Sequence, residues 1–412
     1  MSPARVERRW QALCVATLGL APIAARADLW SIENSASSRL EWNDNAALAH
    51  ASPGSVNTLS LSNALNASRQ LENSVTRMKA DITALRQQGA GGQDRIDGQL
   101  ALTQLFSDPL NSLNLAAQYS QDFNDVVRSA DVTVGQGRRR TTLLSAGWSR
   151  ALSERLSAST QLSVGRTAYG RALSGAVGFR DTALSGGVSY ALSEIASLSL
   201  QASRSGYRAA DDRNRSTTDA VNLSLAGAIS DRSSGSVGLG AYRTASEAQG
   251  ARLACPLATA LCEAGLVPFV IVSERFASAR RGLQFSAAVR YQLDPTTDAS
   301  FSVARQQLPS GAGVLVRNDS LSAGINRSFS PTLSGALNYA RSRSTLHESA
   351  GAARPGHQTL SLSLSKQLAP ALSLQAGYQR SESDSSGHGA GARSNSVSVT
   401  LKYDWSRFDA SR

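Results

Sequence analysis

The sequence predicts an all-β protein, a closed transmembrane antiparallel β-barrel of about 18 strands. Three features favour this fold: an export segment at the N-terminus, apolar residues at every second position, and an alternation of short turns with long loops. Only 18% of the 412 residues are charged and 41% are hydrophobic. The apolar fraction is too high for a disordered chain. Beyond the N-terminus, no apolar run approaches the ~20 residues that a membrane-spanning helix needs.

The first 27 residues have the composition of a cleaved signal peptide. Arg5, Arg8 and Arg9 provide the basic start, an apolar stretch follows, and Ala25-Arg26-Ala27 supplies the small-x-small cleavage pattern. We therefore expect residues 1–27 to be removed on export, with an uncleaved anchor helix as the alternative. Residues 28–405 are expected to form an outer-membrane barrel, and residues 406–412 a short tail.

Export places the mature chain in an oxidising compartment. Cys14 lies in the segment that is removed, which leaves Cys255 and Cys262. Two cysteines in such a compartment are expected to pair and close a small loop. Two thiols without a neighbouring His do not predict a zinc site, and no other feature predicts a cofactor.

Alternation of apolar and small polar residues predicts the individual strands. Leu360, Leu362 and Leu364, for example, alternate with the serines between them, and residues 156–164, 283–292 and 396–403 follow the same pattern. Each run has about the ~9–11 residues of a tilted membrane strand, with one apolar face and one small polar face.

Short turns rich in Ser, Asp and Pro recur at a spacing near 39 residues, as in Leu152-Ser153-Glu154 and Leu192-Ser193-Glu194. Eight such turns and nine longer polar connections predict 18 strands, with both chain ends on the short-turn side. This arrangement is typical of bacterial outer-membrane barrels. A secreted β-solenoid is the main alternative, and it would repeat at shorter periods.

The segment 62–90 has a second interpretation. Its apolar residues follow a 4-3-4-3 spacing that also suits an amphipathic helix: Leu71, Val75, Met78, Ile82 and Leu85. A helical plug or periplasmic segment there would lower the strand count to about 16.

Arginines near the outer ends of six strands share parity with the apolar face and follow a short turn by 11 or 13 residues: Arg166, Arg204, Arg243, Arg305, Arg341 and Arg380. The intervening strand climbs roughly 20–25 Å, about one hydrophobic belt. We therefore expect a ring of lipid-facing Arg that contacts lipopolysaccharide phosphate, because guanidinium suits bidentate phosphate binding. Ordinary snorkelling is the alternative.

The inner face is expected to be small, hydrated and mildly basic, with Arg290, Lys366 and Lys402 as its cations. Cations in a lumen would favour anionic solutes. The cysteine loop contains an unusual apolar run that includes Leu266, Phe269 and Ile271. This run could fold inward as a constriction, pack on the rim, contact a partner, or extend the adjacent strand.

An enzyme is not expected. The four histidines lie on or beside predicted outer loops, and no nucleophile elbow, metal-binding His pair or phosphate loop is present in the sequence. The basic balance does not predict nucleic-acid binding in an exported barrel. The expected partners are outer-membrane lipid, lipopolysaccharide and periplasmic components.

The segment Tyr190-Ala191-Leu192-Ser193-Glu194, followed by Leu198-Ser199-Leu200, resembles the outer-membrane β-barrel family found with exopolysaccharide biosynthesis systems. Leu40-Glu41-Trp42-Asn43-Asp44-Asn45 and Phe106-Ser107-Asp108-Pro109-Leu110-Asn111 are similar to that family as well. The resemblance implies a conduit for exopolysaccharide export, with periplasmic export components as partners. A structural or assembly role, with an occluded lumen and polymer-binding loops, is the alternative. One departure is that Trp405 and Phe408 precede a non-aromatic C-terminus.

Overall fold

The computed structural model describes residues 30–409, except for 90–91, 93, 125–136, 171–176, 255–269, 310–314, 347–355, 385–390 and 406–407. The predicted signal peptide and the predicted Cys255–Cys262 pair lie outside the described residues. The described part of the chain forms one antiparallel sheet and contains no helix. In that part, no helix is long and apolar enough to cross a membrane.

Eighteen long strands and one two-residue strand make up the sheet. They are β1 (Trp30–Asn43), β2 (Val56–Leu71), β3 (Ser74–Gly89), β4 (Arg95–Ser107), β5 (Asn111–Asn124), β6 (Gly137–Ala151), β7 (Leu156–Tyr169), β8 (Phe179–Ala191), β9 (Ala196–Ala209), β10 (Asn214–Ser230), β11 (Ser233–Ala254), β12 (Val270–Asp294), β13 (Thr297–Pro309), β14 (Leu315–Ser330), β15 (Leu333–Leu346), β16 (Gly356–Ala369), β17 (Leu372–Asp384), β18 (Ala392–Asp404) and β19 (Phe408–Asp409).

The sheet closes on itself, which confirms the predicted closed 18-strand antiparallel barrel. Each strand pairs with the next one, and β1 also pairs with β18 from Ser35 opposite Asp404 to Asn43 opposite Ser396. Beyond this ladder, β19 pairs with the first residues of β1. Where β1–β18 are all paired with both neighbours, closure leaves no open sheet edge, and the backbone groups there are satisfied within the wall.

The segment 62–90 consists of two strands, β2 and β3, joined at Glu72–Asn73. The helical interpretation of this segment was therefore wrong. In a strand, the 4-3 spacing sends Met78 and Ile82 to one face of β3 and Val75 and Leu85 to the other. Apolar residues therefore lie on both faces of β3, and their 4-3 spacing does not indicate a helix.

Side-chain capping explains why the short turns form where Ser and Asp occur. The Ser153 Oγ accepts a hydrogen bond from the Leu156 N–H at 3.1 Å, and Asp108 accepts from the N–H groups of Leu110 and Asn111 at 2.8 and 2.7 Å. These backbone N–H groups lower the pKa of Asp108, because they stabilise its charged form. The same residue types therefore fix the hairpin register along the chain.

The two faces of the wall differ in chemistry. On β10, Val221, Leu223 and Leu225 point outward and are about half exposed, whereas Ser216 and Thr218 point inward and are buried. The register places outward residues opposite outward residues, as with Leu223 and Leu239. The barrel is therefore apolar outside and polar inside, as the alternation predicted.

Candidate functional site

The inner wall is lined mainly by hydroxyl and amide side chains. Neighbouring strands share short hydroxyl–hydroxyl hydrogen bonds across the ladder, such as Ser302–Ser322 at 2.7 Å and Thr218–Thr244 at 2.9 Å. The inward positions of β9, β10 and β14–β17, and those of β11 up to Ala248, carry no Lys, Arg, Asp or Glu. This sector of the lumen is neutral and strongly hydrogen-bonding.

Charged residues concentrate on the remaining inner wall, where most of them form ion pairs. Five such pairs have N···O distances between 2.6 and 3.3 Å: Arg39–Glu41, Lys79–Asp81, Arg95–Asp97, Arg139–Asp122 and Lys402–Asp404. Four of the five join residues two apart on one strand, which places both charges on the same face. The described inner wall is therefore charged in places but balanced, and it is not the mildly basic surface that we expected.

The three predicted lumen cations have different positions. Arg290 and Lys402 face inward, and each forms an ion pair, Arg290 with Asp298 at 3.1 Å and Lys402 with Asp404 at 2.7 Å. Lys366 does not face the lumen, so its assignment was wrong. It lies opposite Leu374 and Leu333 and shares parity with the outward Leu364. Lys366 continues the even-numbered series of Leu360, Leu362 and Leu364, so the sequence already indicated that it faces outward.

An inward-folded hairpin narrows the mouth of the barrel. The β12–β13 ladder ends at Phe285 opposite Arg305, whereas β13 and β14 remain paired up to Pro309 opposite Leu315. The end of this hairpin leaves the wall and reaches the inner faces of distant strands. The Gln307 Oε1 accepts a hydrogen bond from the Thr244 hydroxyl at 2.8 Å, and the Thr218 hydroxyl lies 3.4 Å from the same oxygen.

Apolar packing holds the other arm of this hairpin. Leu315 packs against a buried cluster of Phe179, Tyr207 and Ala209 on the inner faces of β8 and β9. The rings of Phe179 and Tyr207 lie 5.4 Å apart. Because β14 is five positions away from β9 in the sheet, this contact crosses the barrel interior. We call residues 305–309 and 315–319 the inward arms.

The sequence placed the constriction in a different loop. Leu266 and Phe269 lie outside the described residues, and so do both cysteines. Ile271 belongs to β12 and lies opposite Leu253 of β11, so at this residue the apolar run extends a strand. The inward arms instead come from the next hairpin, whose sequence mixes polar residues with Leu308, Leu315 and Val316 and was not predicted to fold inward.

The six predicted arginines all share the outward parity of their strands, but their surroundings differ. Arg305 donates two hydrogen bonds to Asp319 and lies over the Phe285 ring at 5.3 Å. Arg380 donates two hydrogen bonds to Glu382 at 2.9 and 2.6 Å. Arg204 is 3.6 Å from Asp219. Lipopolysaccharide contact by any of the six stays a prediction.

Several further arginines with outward parity were not predicted, and Arg281 and Arg180 are two of them. Arg281 of β12 lies opposite Arg243, and Arg180 of β8 lies opposite Arg166. Both are on strands that run from the long loops toward the short turns, whereas the predicted ring was placed only on strands that run the other way. A parity count on both strand directions would have found them.

An open groove lies on the outer wall beneath some of these arginines. Its volume is about 860 Å³, and Ala202, Ala241 and Gly186 line it together with Leu184, Val221 and Leu283. Three arginines and one aspartate stand at its long-loop end: Arg204, Asp219, Arg243 and Arg281. The groove is therefore apolar along most of its length and cationic at one end.

No family model matches the sequence, and no curated protein matches it. Solved structures that resemble the chain include OccAB2 of Acinetobacter baumannii, at 12% identity and a TM-score of 0.48 over 93% of this chain and 99% of that one. OpdL of Pseudomonas aeruginosa has 12% identity and a TM-score of 0.48 over 92% and 99% of the two chains. The Escherichia coli K12 ferric-catecholate import receptor Fiu has 10% identity and a TM-score of 0.46 over 90% and 81%. Such values assign neither a family nor a substrate.

Proposed function

We propose that this protein is an outer-membrane channel whose mouth is narrowed by the inward arms of β13 and β14. The observation that carries the proposal is the closed barrel of 18 strands with leucine and valine outside and serine, threonine and amides inside. An apolar exterior of this kind is stable in lipid. Eighteen strands enclose an aqueous space unless something occupies it.

The inner wall supports passage of neutral, hydroxyl-rich solutes. The uncharged sector offers hydroxyl and amide groups such as Ser203, Ser224 and Asn338, and these can exchange hydrogen bonds with a carbohydrate. The ion pairs elsewhere cancel their charges locally, so we expect weak ion selectivity rather than anion preference. We therefore propose, as the finer assignment, passive export of an exopolysaccharide, in line with the sequence resemblance, and we propose no catalytic activity.

Planar-bilayer conductance of the purified full chain tests the channel. We expect steady open steps with a cation-to-anion permeability ratio near one. Gln307→Ala/Leu315→Ala releases both inward arms from the inner faces of β8–β11, and we expect this variant to show a larger conductance or frequent additional substates. The reason is that the two substitutions remove the Gln307 hydrogen bonds and the Leu315 contact, which together contribute about 2–3 kcal/mol to the attachment of the arms.

The matched control is Gln306→Ala/Leu321→Ala, which changes the same residue types in the same hairpin without touching these contacts. Its conductance should equal that of the unsubstituted chain. Silence of the unsubstituted chain, together with open steps after release of the arms, would favour a gated channel. Silence of both proteins after correct insertion would contradict the channel and leave the structural role.

The narrowing of the mouth by the inward arms is the specific observation that favours a second function, a structural or assembly component. Secretion of polymer from cells that lack the protein distinguishes the two roles. A conduit predicts polymer retained in the periplasm, whereas a structural component predicts normal secretion with altered attachment at the surface. Co-purification with periplasmic export components would support the conduit.

A further inference from the structure

We propose that the outer wall of β8–β12 binds one phosphorylated glycolipid of the outer leaflet, the lipid A part of lipopolysaccharide. An acyl chain would lie in the groove, and phosphate would be bound by Arg204, Arg243 and Arg281. This proposal rests on the outer-membrane location proposed above. It narrows the expected ring of arginines to one site with a defined shape.

The cationic end of the groove follows from strand register. Arg204 lies opposite Asp219, Asp219 opposite Arg243, and Arg243 opposite Arg281, so the four residues form one rung across β9–β12. Neighbouring strands are ~4.8 Å apart, so that the rung spans roughly 14 Å. Arg243 and Arg281 form no ion pair with any described residue. A headgroup with two phosphates fits a row of three guanidinium groups of this length.

The apolar part of the groove lies on the membrane side of this rung. Ala202 and Ala241 precede Arg204 and Arg243 on strands that run toward the long loops, whereas Val221 and Leu283 follow Asp219 and Arg281 on strands that run away from them. Small residues form the floor and large aliphatic residues the sides. An acyl chain entering from the bilayer therefore meets apolar side chains first and arginine at the level of its headgroup.

Charge also favours an anionic lipid here over a second protein copy. Arg166, Arg180 and Arg208 lie on adjoining strands of the same outer wall, so positive charge extends beyond the groove. Two copies that met at this surface would bring like charges together, which is unfavourable in a low-dielectric environment. A phosphorylated lipid neutralises the charge and fills the groove at once.

The test measures binding of hexa-acylated, bis-phosphorylated lipid A to the full chain in detergent, by native mass spectrometry and by titration. We expect saturable binding of one lipid per chain. Arg243→Gln/Arg281→Gln should weaken it about tenfold or more, because two charge-assisted hydrogen bonds are lost. Arg341→Gln/Arg380→Gln removes the same charge from outward positions on β15 and β17, and this control should bind normally.

A second pair of variants tests the groove without changing the charge. Ala202→Leu/Ala241→Leu fills its floor and should weaken lipid A binding about as strongly, whereas Ala323→Leu/Ala376→Leu fills equivalent outward positions elsewhere and should have no effect. Folding of all variants is checked by circular dichroism and by comparing the gel mobility of heated and unheated samples. An equal loss in both arginine variants would overturn the site in favour of general charge.

Absence of saturable binding to the unsubstituted chain would also overturn the proposal. So would a groove-filling variant that dissociates a dimer but leaves lipid A binding unchanged. The same protein preparations are inserted into planar bilayers as described above. Normal conductance without lipid A binding would contradict only the lipid A site. Failure to insert into lipid would contradict the proposed function.

Discussion

Asp219 of β10 lies on the outer wall, whereas Asp319 of β14 lies on one of the inward arms, four strands further along the sheet. We call these two regions the β10 arc and the β14 arc. Each lies between two arginines on the neighbouring strands, Asp219 between Arg204 and Arg243, and Asp319 between Arg305 and Arg343. Their contacts differ. Arg204 approaches Asp219 to 3.6 Å with side chains 72% and 58% exposed, whereas Arg305 binds Asp319 at 2.6 Å with side chains 35% and 30% exposed.

The difference shows how partial burial decides what an arginine can do. Arg305 is held by Asp319 and stacks on Phe285, so its donors and its face are both occupied. Arg204 has a long contact with a solvated partner, and an exposed ion pair of this kind contributes little stability. The β14 arc therefore uses its arginine for structure, and the β10 arc leaves its arginines available to a ligand.

The largest expected effect is on stability at the β14 arc. Asp319→Asn removes the acceptor of two guanidinium hydrogen bonds and should cost about 1–2 kcal/mol, discounted because the pair is one-third exposed. The corresponding Asp219→Asn should cost below about 0.5 kcal/mol. Urea unfolding in lipid vesicles measures both. Equal losses would contradict the difference between the two arcs.

A smaller effect is expected on ligand binding at the β10 arc. Asp219 is the one carboxylate in the rung of arginines, so Asp219→Asn should raise lipid A affinity about two- to threefold by removing a repulsive charge. The titration used for the arginine variants measures this change. Asp319→Asn serves as its control and should leave lipid A binding unchanged, and weaker binding after Asp219→Asn would count against the site.

The smallest expected effect is a pH dependence of stability that arises in the turn between β9 and β10. The Arg208 side chain donates a hydrogen bond to Asp212 at 2.7 Å and lowers the pKa of Asp212 below its usual value. A lowered pKa means that the pair contributes stability above about pH 4, the value in the unfolded chain, and loses it as the pH falls through the folded value.

The stability difference between the unsubstituted chain and Asp212→Asn should therefore be small and constant at neutral pH and should disappear in acid. Urea midpoints measured between pH 7 and pH 2 test this. Arg208→Gln removes the other partner of the same hydrogen bond, so it should show the same pH-dependent difference from the unsubstituted chain. A stability difference that increases as the pH falls would contradict a lowered pKa of Asp212.

The barrel could be predicted because the alternation of apolar and polar residues within each strand shows which of its side chains face outward. Leu360, Leu362 and Leu364 are outward because they alternate with serines, and the Ser153 and Asp108 turns carry their own caps. These features are local in the sequence. The surrounding lipid also requires apolar side chains at the outward positions, so the alternation has few exceptions. The same rule applied fully would have placed Lys366 outside, since it continues the parity of the leucines.

The inward arms and the groove could not be predicted in this way. Gln307 and Leu315 depend on partners about 60 or more residues away, and nothing near them in the sequence marks the end of the β12–β13 ladder. The groove depends on the register of five strands together. Alternation fixes which face a residue lies on, but the width of a gap between strands and the reach of a hairpin are tertiary properties.

The hairpin of β11 and β12 continues beyond the ladders that these strands form with β10 and β13. Gln249–Ala254 of β11 and the facing part of β12 pair with each other alone among the described strands. This ribbon takes no part in closing the cylinder. It is therefore a natural grafting position, where a foreign peptide could be inserted without disturbing the closed part of the barrel.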